Sequence, residues 1–226
     1  MILKLKKCIK LMKYSYGLKA NLFGAVLIFL LAFLGITAGI EIGMIGFMMS
    51  GLLFFLAFMM LIQLKDNLVF SCMVLASGKK RFLEVNYTDI YSTISVLGSY
   101  LLQSVLILVF VEDEAAESAG ITIADIFIVT SICMAVFTLF YILHNKFFFL
   151  SILLSAFSYM LIEVLSTIFL EHSVSAWINH NKALGFLTGL GILGISIIIS
   201  MIFRRIFYKK PVSPYSGSAG LRKAMQ

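Results

Sequence analysis

Three consecutive cations and an aromatic side chain, Lys79, Lys80, Arg81 and Phe82, form the most distinctive polar motif of this sequence. They lie in the basic interval 65–92, between two long apolar runs. The cations can pair with the carboxylates of a protein or with lipid phosphates, and Phe82 can enter an apolar cleft of a partner. The motif therefore predicts a docking surface. Cations that only mark the inner side of a membrane are the alternative interpretation.

Glu163 is the acid that falls inside an apolar run. An ionisable side chain is costly in hydrocarbon and is by default a candidate for function. Glu163 lies near the end of its run, so it can also extend outward to the interface. Two interpretations stay open: Glu163 lies at the outer interface, or it lines an external vestibule together with Tyr159.

Small polar residues recur at helical spacing on two apolar runs. They are Ser92, Ser95, Ser99 and Gln103 on one run, and Ser151, Ser155 and Ser158 on another. Lipid offers such side chains no hydrogen-bond partner, so these faces are expected to turn toward neighbouring helices or toward a wetted path. Helix packing and a translocation path both fit the pattern.

The sequence predicts no catalytic residue, no cofactor site and no metal site in this chain. A membrane protease or metalloenzyme would need convergent acids, a serine with a histidine, or histidines at ligand spacing. Glu171, His172 and His180 are expected to be solvated at a membrane surface. A GxxxxGK[ST] phosphate loop is absent from the sequence, so ATP hydrolysis is not assigned to the chain.

The elements that position these residues are predicted from composition and run length. Hydrophobic residues make up 61% of the chain and charged residues 13%, with a mean hydropathy of +1.04, which is typical of an integral membrane protein. Six apolar runs approach the length that crosses hydrocarbon, which is about 20 residues. The runs are 21–40, 42–64, 93–111, 126–143, 147–169 and 183–203. The expected fold is an all-α polytopic membrane protein with six transmembrane helices.

Residues 1–19 are expected to form an amphipathic helix at the membrane surface. Apolar residues follow one helical face and lysines the other. A cleaved signal peptide is the competing interpretation, but the run 21–40 is longer than a usual signal core. Residues 1–210 are expected to form a single transmembrane domain, and residues 211–226 a flexible cytoplasmic tail.

Glycines at GxxxG spacing predict close contacts between helices, within or between subunits. The spacing occurs at Gly35, Gly39 and Gly43, and again at Gly185 and Gly189.

The charges sort by side when the N-terminus is placed inside. Every basic residue except Lys182 then falls on the cytoplasmic side. The outer side collects the acids Glu41, Glu112, Asp113, Glu114, Glu117, Asp125 and Glu171. This sorting predicts a multi-pass protein of the cell membrane, as in a bacterial plasma membrane, with both termini cytoplasmic. It also explains the net charge of +7 without a nucleic-acid partner.

This pattern resembles the membrane-spanning permease subunit of a type-2 ABC (ATP-binding-cassette) exporter. The family shares the basic amphipathic N-terminal helix, the six spans and the basic loop between spans two and three. Its loop motif often reads Leu-Pro-x-Ser-Arg-x-x-Phe, and the corresponding residues here run from Leu75 to Phe82. Ala76 stands in place of the proline, Gly78 of the serine and Lys79 of the arginine.

The resemblance implies a mechanism and a set of partners. Two permease subunits, identical or related, would form the path in contact with membrane lipid, and two cytoplasmic ATP-binding subunits would hydrolyse ATP with Mg. Docking on the ATPase would involve Lys79, Lys80, Arg81, Phe82, His144, Asn145 and Lys146. The path or outer gate would involve Ser95, Ser99, Gln103, Tyr159 and Glu163. The short outer loops leave small amphiphiles, hydrophobic peptides, lipids or ions as cargo.

Two other functions fit the same topology. The chain could be the substrate-binding subunit of a vitamin uptake system, or a non-transporting immunity or scaffold protein that sequesters a peptide at the membrane. A stable ATPase partner supports the exporter, bound vitamin the uptake system, and neither of them the scaffold.

Overall fold

The computed structural model describes residues 18–42, 44–69, 82–118, 122–144, 147–158, 160, 162, 164 and 181–210. Within these residues the chain forms α1 (Leu18–Ile42), α2 (Met44–Val69), a π-helical turn (Phe82–Tyr87), α3 (Thr88–Phe110), α4 (Asp113–Ser118), α5 (Ile123–His144), α6 (Phe148–Ala156) and α7 (Lys182–Phe207). The expected surface helix up to residue 17, the tail 211–226 and Gly43 lie outside the described residues.

Among the described residues, four apolar helical segments are long enough to cross a membrane. They are Leu18–Gly39, Val85–Phe110, Ile123–Tyr141 and Lys182–Phe207. A shorter apolar segment, Ile45–Phe58, lies in α2. The prediction of an all-helical chain with membrane-length helices is thus confirmed for the described part, and the count of six spans stays a prediction.

Several of the described helices extend beyond the predicted apolar runs, and two of these extensions carry the charged residues Asp89 and Arg204. α3 begins at Thr88 instead of residue 93, and α7 continues to Phe207 instead of residue 203. The predicted runs stop at charges or polar residues, whereas a helix continues wherever such side chains find partners. As a result Asp89 and Arg204 belong to helices.

The helix α5 forms the centre of the bundle. It is apolar on all sides, which predicts a helix buried all round. Every residue from 123 to 136 is buried, because α2, α3, α6 and α7 pack around this helix. In contrast, α1 packs mainly on α2 and exposes a face of Leu and Phe side chains.

The GxxxG prediction of close helix contacts is confirmed at four glycines. A Cβ on Gly35 would lie 3.1 Å from the Ser50 Cβ, and a Cβ on Gly39 would lie 2.8 Å from the Phe47 ring. A Cβ on Gly185 would lie 2.6 Å from the Ala124 Cα, and one on Gly189 would overlap the Tyr100 hydroxyl. The glycines therefore allow α1 to approach α2, and α7 to approach α3 and α5.

Contacts between helices give the chain direction. Gly185 contacts Ala124, and the Ser196 hydroxyl donates a hydrogen bond to the Ala135 carbonyl at 3.1 Å, so α7 and α5 are parallel. The Tyr100 hydroxyl donates to the Phe186 carbonyl at 3.2 Å, whereas Arg204 reaches the start of α3, so α3 is antiparallel to α7.

The bundle has two ends with opposite charge among the described side chains. The acidic end comprises the α1–α2 turn and the starts of α4, α5 and α7, and its charged side chains are Glu41, Glu112, Asp113, Glu114, Asp125 and Lys182. The basic end comprises the starts of α1 and α3 and the end of α7, and its charged side chains are Lys19, Asp89, Arg204, Arg205, Lys209 and Lys210. This distribution follows the charge sorting expected from the sequence.

A reciprocal capping box fixes the start of α5 at the acidic end. The Thr122 backbone N–H and hydroxyl donate to the Asp125 carboxylate at 3.0 and 2.7 Å. The Asp125 backbone N–H donates to the Thr122 hydroxyl oxygen at 3.2 Å. Because these bonds satisfy donors that have no partner inside the helix, they define where α5 begins.

Candidate functional site

A buried ion pair joins α3 and α7 at the basic end. One guanidinium nitrogen of Arg204 donates to the Asp89 carboxylate at 3.0 Å, and the other donates to the Ser92 hydroxyl at 2.9 Å. The Arg204 side chain is 9% exposed and the Asp89 side chain 7% exposed. The last helix is thus attached to the first turn of α3, directly after the basic loop.

The end of α7 favours this arrangement of charge. Arg204 lies in the last turn of α7, where the helix dipole is negative and favours a cation. A buried charge without a partner is expensive, so Arg204 and Asp89 depend on each other.

Phe82 begins the π-helical turn that leads into α3. Its side chain is half-buried, and the turn packs against α7 and continues into α3. Tyr87 at the end of the turn is fully buried. The predicted docking motif therefore leads directly into the segment that the ion pair holds, and Lys79, Lys80 and Arg81 lie outside the described residues.

A polar cluster lies in the interior of the bundle, where α2, α3 and α5 meet. The Gln103 amide donates to the Ser50 hydroxyl at 2.9 Å and lies 3.5 Å from the Thr130 hydroxyl. Gln103 and Ser50 are fully buried. A Cβ on Gly51 would lie 2.9 Å from the Thr130 methyl and 3.2 Å from Gln103 Oε1. Glycine at this position thus makes room for the amide.

Ser95 and Ser99 lie on the buried side of α3. The Ser95 hydroxyl donates to the Tyr91 carbonyl at 2.9 Å, and the Ser99 hydroxyl donates to the Val96 carbonyl at 2.8 Å. Ser99 also lies 3.7 Å from the Met134 sulfur on α5. In this conformation Ser99 and Gln103 belong to helix contacts within one chain, and their part in a path stays a prediction.

The remaining predicted site residues carry no described contact. His144 is the last residue of α5, and its side chain lies outside the described part. Asn145, Lys146, Tyr159 and Glu163 also lie outside the described residues. The structure therefore brings together Phe82 and the start of α3, and it places Ser95, Ser99 and Gln103 along that helix.

Asp89 is a site residue that the sequence pattern alone does not single out, and for Arg204 the pattern indicates only the cytoplasmic side of the membrane. A signal for both exists in the sequence. Asp89, Ser92, Ser99 and Gln103 share one face of α3, so the polar stripe begins three residues earlier than the predicted one. Arg204 directly follows an apolar run and can turn back along its helix toward that stripe.

Comparisons with known proteins identify no relative. No family model matches the sequence, and no curated protein or solved structure is similar to the chain.

Proposed function

We propose that this chain is the permease subunit of an ABC exporter, with ATP hydrolysed by a separate subunit. In this proposal the chain has six transmembrane helices and cytoplasmic termini. Two permease subunits, identical or related, form the path, and two copies of the ATP-binding subunit dock on the basic end. The chain itself carries no ATPase site.

The observation that carries the proposal is the contact of the turn Phe82–Tyr87, which follows the basic motif in sequence, with two helices at once. Phe82 opens the turn before α3, and Asp89, seven residues later, binds Arg204 of α7. A force on the loop would move both helices as one body, since the buried ion pair joins them. Rigid-body motion of packed helices is the kind of transition that alternates access in such a subunit.

The proposed path runs along the polar side of α3. Ser95, Ser99 and Gln103 would become wetted when the helices around them separate, and Tyr159 with Glu163 would form the outer gate. The Gln103 Oε1 atom has no hydrogen-bond partner among the residues that the structure describes, which supports a second arrangement of this amide.

The proposed cargo is a small amphiphile, a hydrophobic peptide or a lipid. The helices α3 and α5 are connected at the acidic end by a segment that includes the short helix α4. A connection of this size leaves little polar surface for capturing bulky hydrophilic cargo.

Replacing Phe82 with alanine tests the proposal. The full chain is tagged in its natural host and purified in mild detergent, and the ATPase activity that accompanies it is measured. We expect Phe82→Ala to remove most of this activity at unchanged expression, because the aromatic knob is lost from the ATPase cleft. Phe23 lies on α1 and is 71% exposed. Phe23→Ala is therefore the matched control and should retain the activity. Equal activity in the two variants would contradict the docking role of Phe82.

A further inference from the structure

The face of α7 that points away from the bundle is apolar along its length and ends in two cations. Its apolar members are Leu187, Gly191, Ile195, Ile198, Ile202 and Ile206, and all of them are exposed. They recur every three or four residues, so they form one continuous stripe on the helix. Arg205 and Lys209 continue the same spacing and are exposed at the basic end.

The two neighbouring arginines serve opposite faces of α7. Arg204 turns inward and is neutralised by Asp89. Arg205 is exposed on the outer stripe. Among the described residues, no carboxylate lies within ion-pair distance of Arg205 or Lys209. The outer stripe therefore carries a positive charge that no carboxylate in the described part of the chain balances.

Aromatic rings lie at the same end of α7, beside the neighbouring cation Lys210. The Phe147 and Phe207 rings meet edge to face, with centroids 4.9 Å apart. The Lys210 ammonium lies 3.7 Å from the centroid of the Phe147 ring. This end of α7 therefore carries a third cation, Lys210, which packs on an aromatic ring within the protein.

We infer that the outer stripe of α7 binds an anionic phospholipid, with its phosphate on Arg205 and Lys209 and an acyl chain along the apolar residues. One leaflet of hydrocarbon is about 15 Å thick, half of the about 30 Å of the whole core. At about 1.5 Å per residue, this thickness corresponds to the segment from Arg205 back to Ile195. Gly191 and Gly194 have no described atom near the position of a Cβ, which leaves open space beside the chain end.

A second copy of this chain is a poorer occupant of the stripe. A contact between two parallel copies, with the two-fold axis along the membrane normal, would bring the same stripe of both copies together with its cations at the same depth. Arg205 and Lys209 would then face identical cations, and the like charges would repel. A phosphate diester supplies the missing negative charge, and its acyl chain covers the apolar stripe.

A cross-linking experiment on the full chain tests this inference independently of transport. The protein is reconstituted into phosphatidylcholine vesicles that contain a small fraction of phosphatidylglycerol with a photoreactive acyl chain. After irradiation and chymotrypsin digestion, the cross-linked α7 peptide is quantified while unlabelled phosphatidylglycerol competes. Chymotrypsin is chosen because its cleavage does not depend on Arg205 or Lys209.

We expect the photoreactive lipid to become attached within the segment from Ile195 to Ile206. Unlabelled phosphatidylglycerol should reduce this cross-linking, whereas phosphatidylcholine with the same acyl chains should not. Arg205→Gln and Lys209→Gln should each weaken the competition about fivefold, the factor for about 1 kcal/mol per cation at an anionic surface. Lys19→Gln removes an exposed cation from the same end on α1 and should leave the α7 cross-link unchanged.

Three results would overturn the inference. Phosphatidylcholine could compete as well as phosphatidylglycerol, or the Arg205→Gln, Lys209→Gln double variant could retain full competition. The α7 stripe could also cross-link to a second copy of the chain, and Ile198→Asn could weaken the resulting dimer. Such a result would assign the stripe to a contact between protein chains.

Discussion

Two ion pairs, each between a basic side chain and an aspartate, have opposite environments in this protein. Arg204 and Asp89 are buried at the basic end, whereas the Lys182 ammonium and the Asp113 carboxylate meet at 2.6 Å with 49% and 55% of their side chains exposed. Removing one partner of a buried pair leaves an uncompensated charge, while water solvates either partner of an exposed pair. At the residue scale, the buried pair therefore matters far more for stability.

Substitution of either buried partner is expected to destabilise the protein strongly. Asp89→Asn leaves the charge of Arg204 buried without a partner, and Arg204→Gln leaves the charge of Asp89 in the same situation. Each substitution is expected to lower the free energy of unfolding by about 3–5 kcal/mol. Thermal unfolding can be followed by a thiol-reactive dye at Cys133, which is buried and 3% exposed. The background carries Cys8→Ser and Cys72→Ser, so that Cys133 is the reporter.

The exposed pair provides the matched control for this prediction. Lys182→Gln is expected to cost less than about 1 kcal/mol. The double variant Asp89→Asn, Arg204→Gln should lose less than the sum of its single substitutions, because neither charge remains alone. An additive double variant, or equal losses at both ends of the bundle, would show that the buried pair is not coupled.

At the scale of elements, α7 has an inner face that needs glycine and an outer face that does not. A Cβ placed on Gly189 would overlap the Tyr100 hydroxyl and would lie 3.1 Å from the Phe127 carbonyl oxygen. Gly191, two residues later, has no described atom within 4 Å of that position. The same residue type therefore has two different structural roles on one helix.

Alanine at these two glycines should give opposite results. Gly189→Ala is expected to destabilise the bundle by about 1–3 kcal/mol, because the added methyl overlaps Tyr100. Adding Tyr100→Phe to Gly189→Ala removes the overlapping oxygen and should recover part of the lost stability. Gly191→Ala should be neutral or stabilising by up to about 1 kcal/mol, since alanine is the better helix former. Cys133 labelling on heating measures all three variants, and equal losses at Gly189 and Gly191 would refute the packing role of Gly189.

At the scale of the whole molecule, charge divides the bundle into two ends. The acids Glu112, Asp113 and Glu114 lie at one end, and the cations Arg205 and Lys209 lie at the other. Positive charge is retained on the cytoplasmic side of a membrane. We therefore expect the acidic end to face outward.

Cysteine labelling in intact cells tests this orientation. In a variant without Cys8, Cys72 and Cys133, a membrane-impermeant thiol reagent should modify Glu112→Cys at once. The same reagent should modify Lys19→Cys only after the membrane is opened. The reverse order would place the basic end outside and exclude docking of a cytoplasmic ATPase on it.

Much of the architecture could be predicted from apolar run length and glycine spacing. The run 21–40 lies within α1, and the contacts of Gly185 and Gly189 follow from small residues at helical spacing. The start of α3 and the end of α7 could not be predicted in this way. Asp89 and Arg204 lie just outside the apolar runs, and a charged residue is not counted as part of such a run. In the structure both residues lie within helices and bind each other, and such a pairing depends on three-dimensional packing.

The candidate site shows the same division. The polar face of α3 was predictable, since Ser99 and Gln103 stand at helical spacing and lipid gives them no partner. The partners of that face could not be predicted, because Ser50 and Thr130 belong to helices that are far away in the sequence. Gly51 makes the contact possible, and it is not part of the predicted GxxxG pattern.

Cross-linking from position 82 in native membranes tests the central claim most directly. A photoreactive amino acid replaces Phe82 in the full chain, the cells are irradiated, and the adducts are identified by mass spectrometry. We expect an adduct with a subunit that carries a GxxxxGK[ST] phosphate loop, and no such adduct when the same amino acid replaces Phe23. Efficient cross-linking from position 82 to lipid or to this chain alone, without an ATPase adduct, would contradict it.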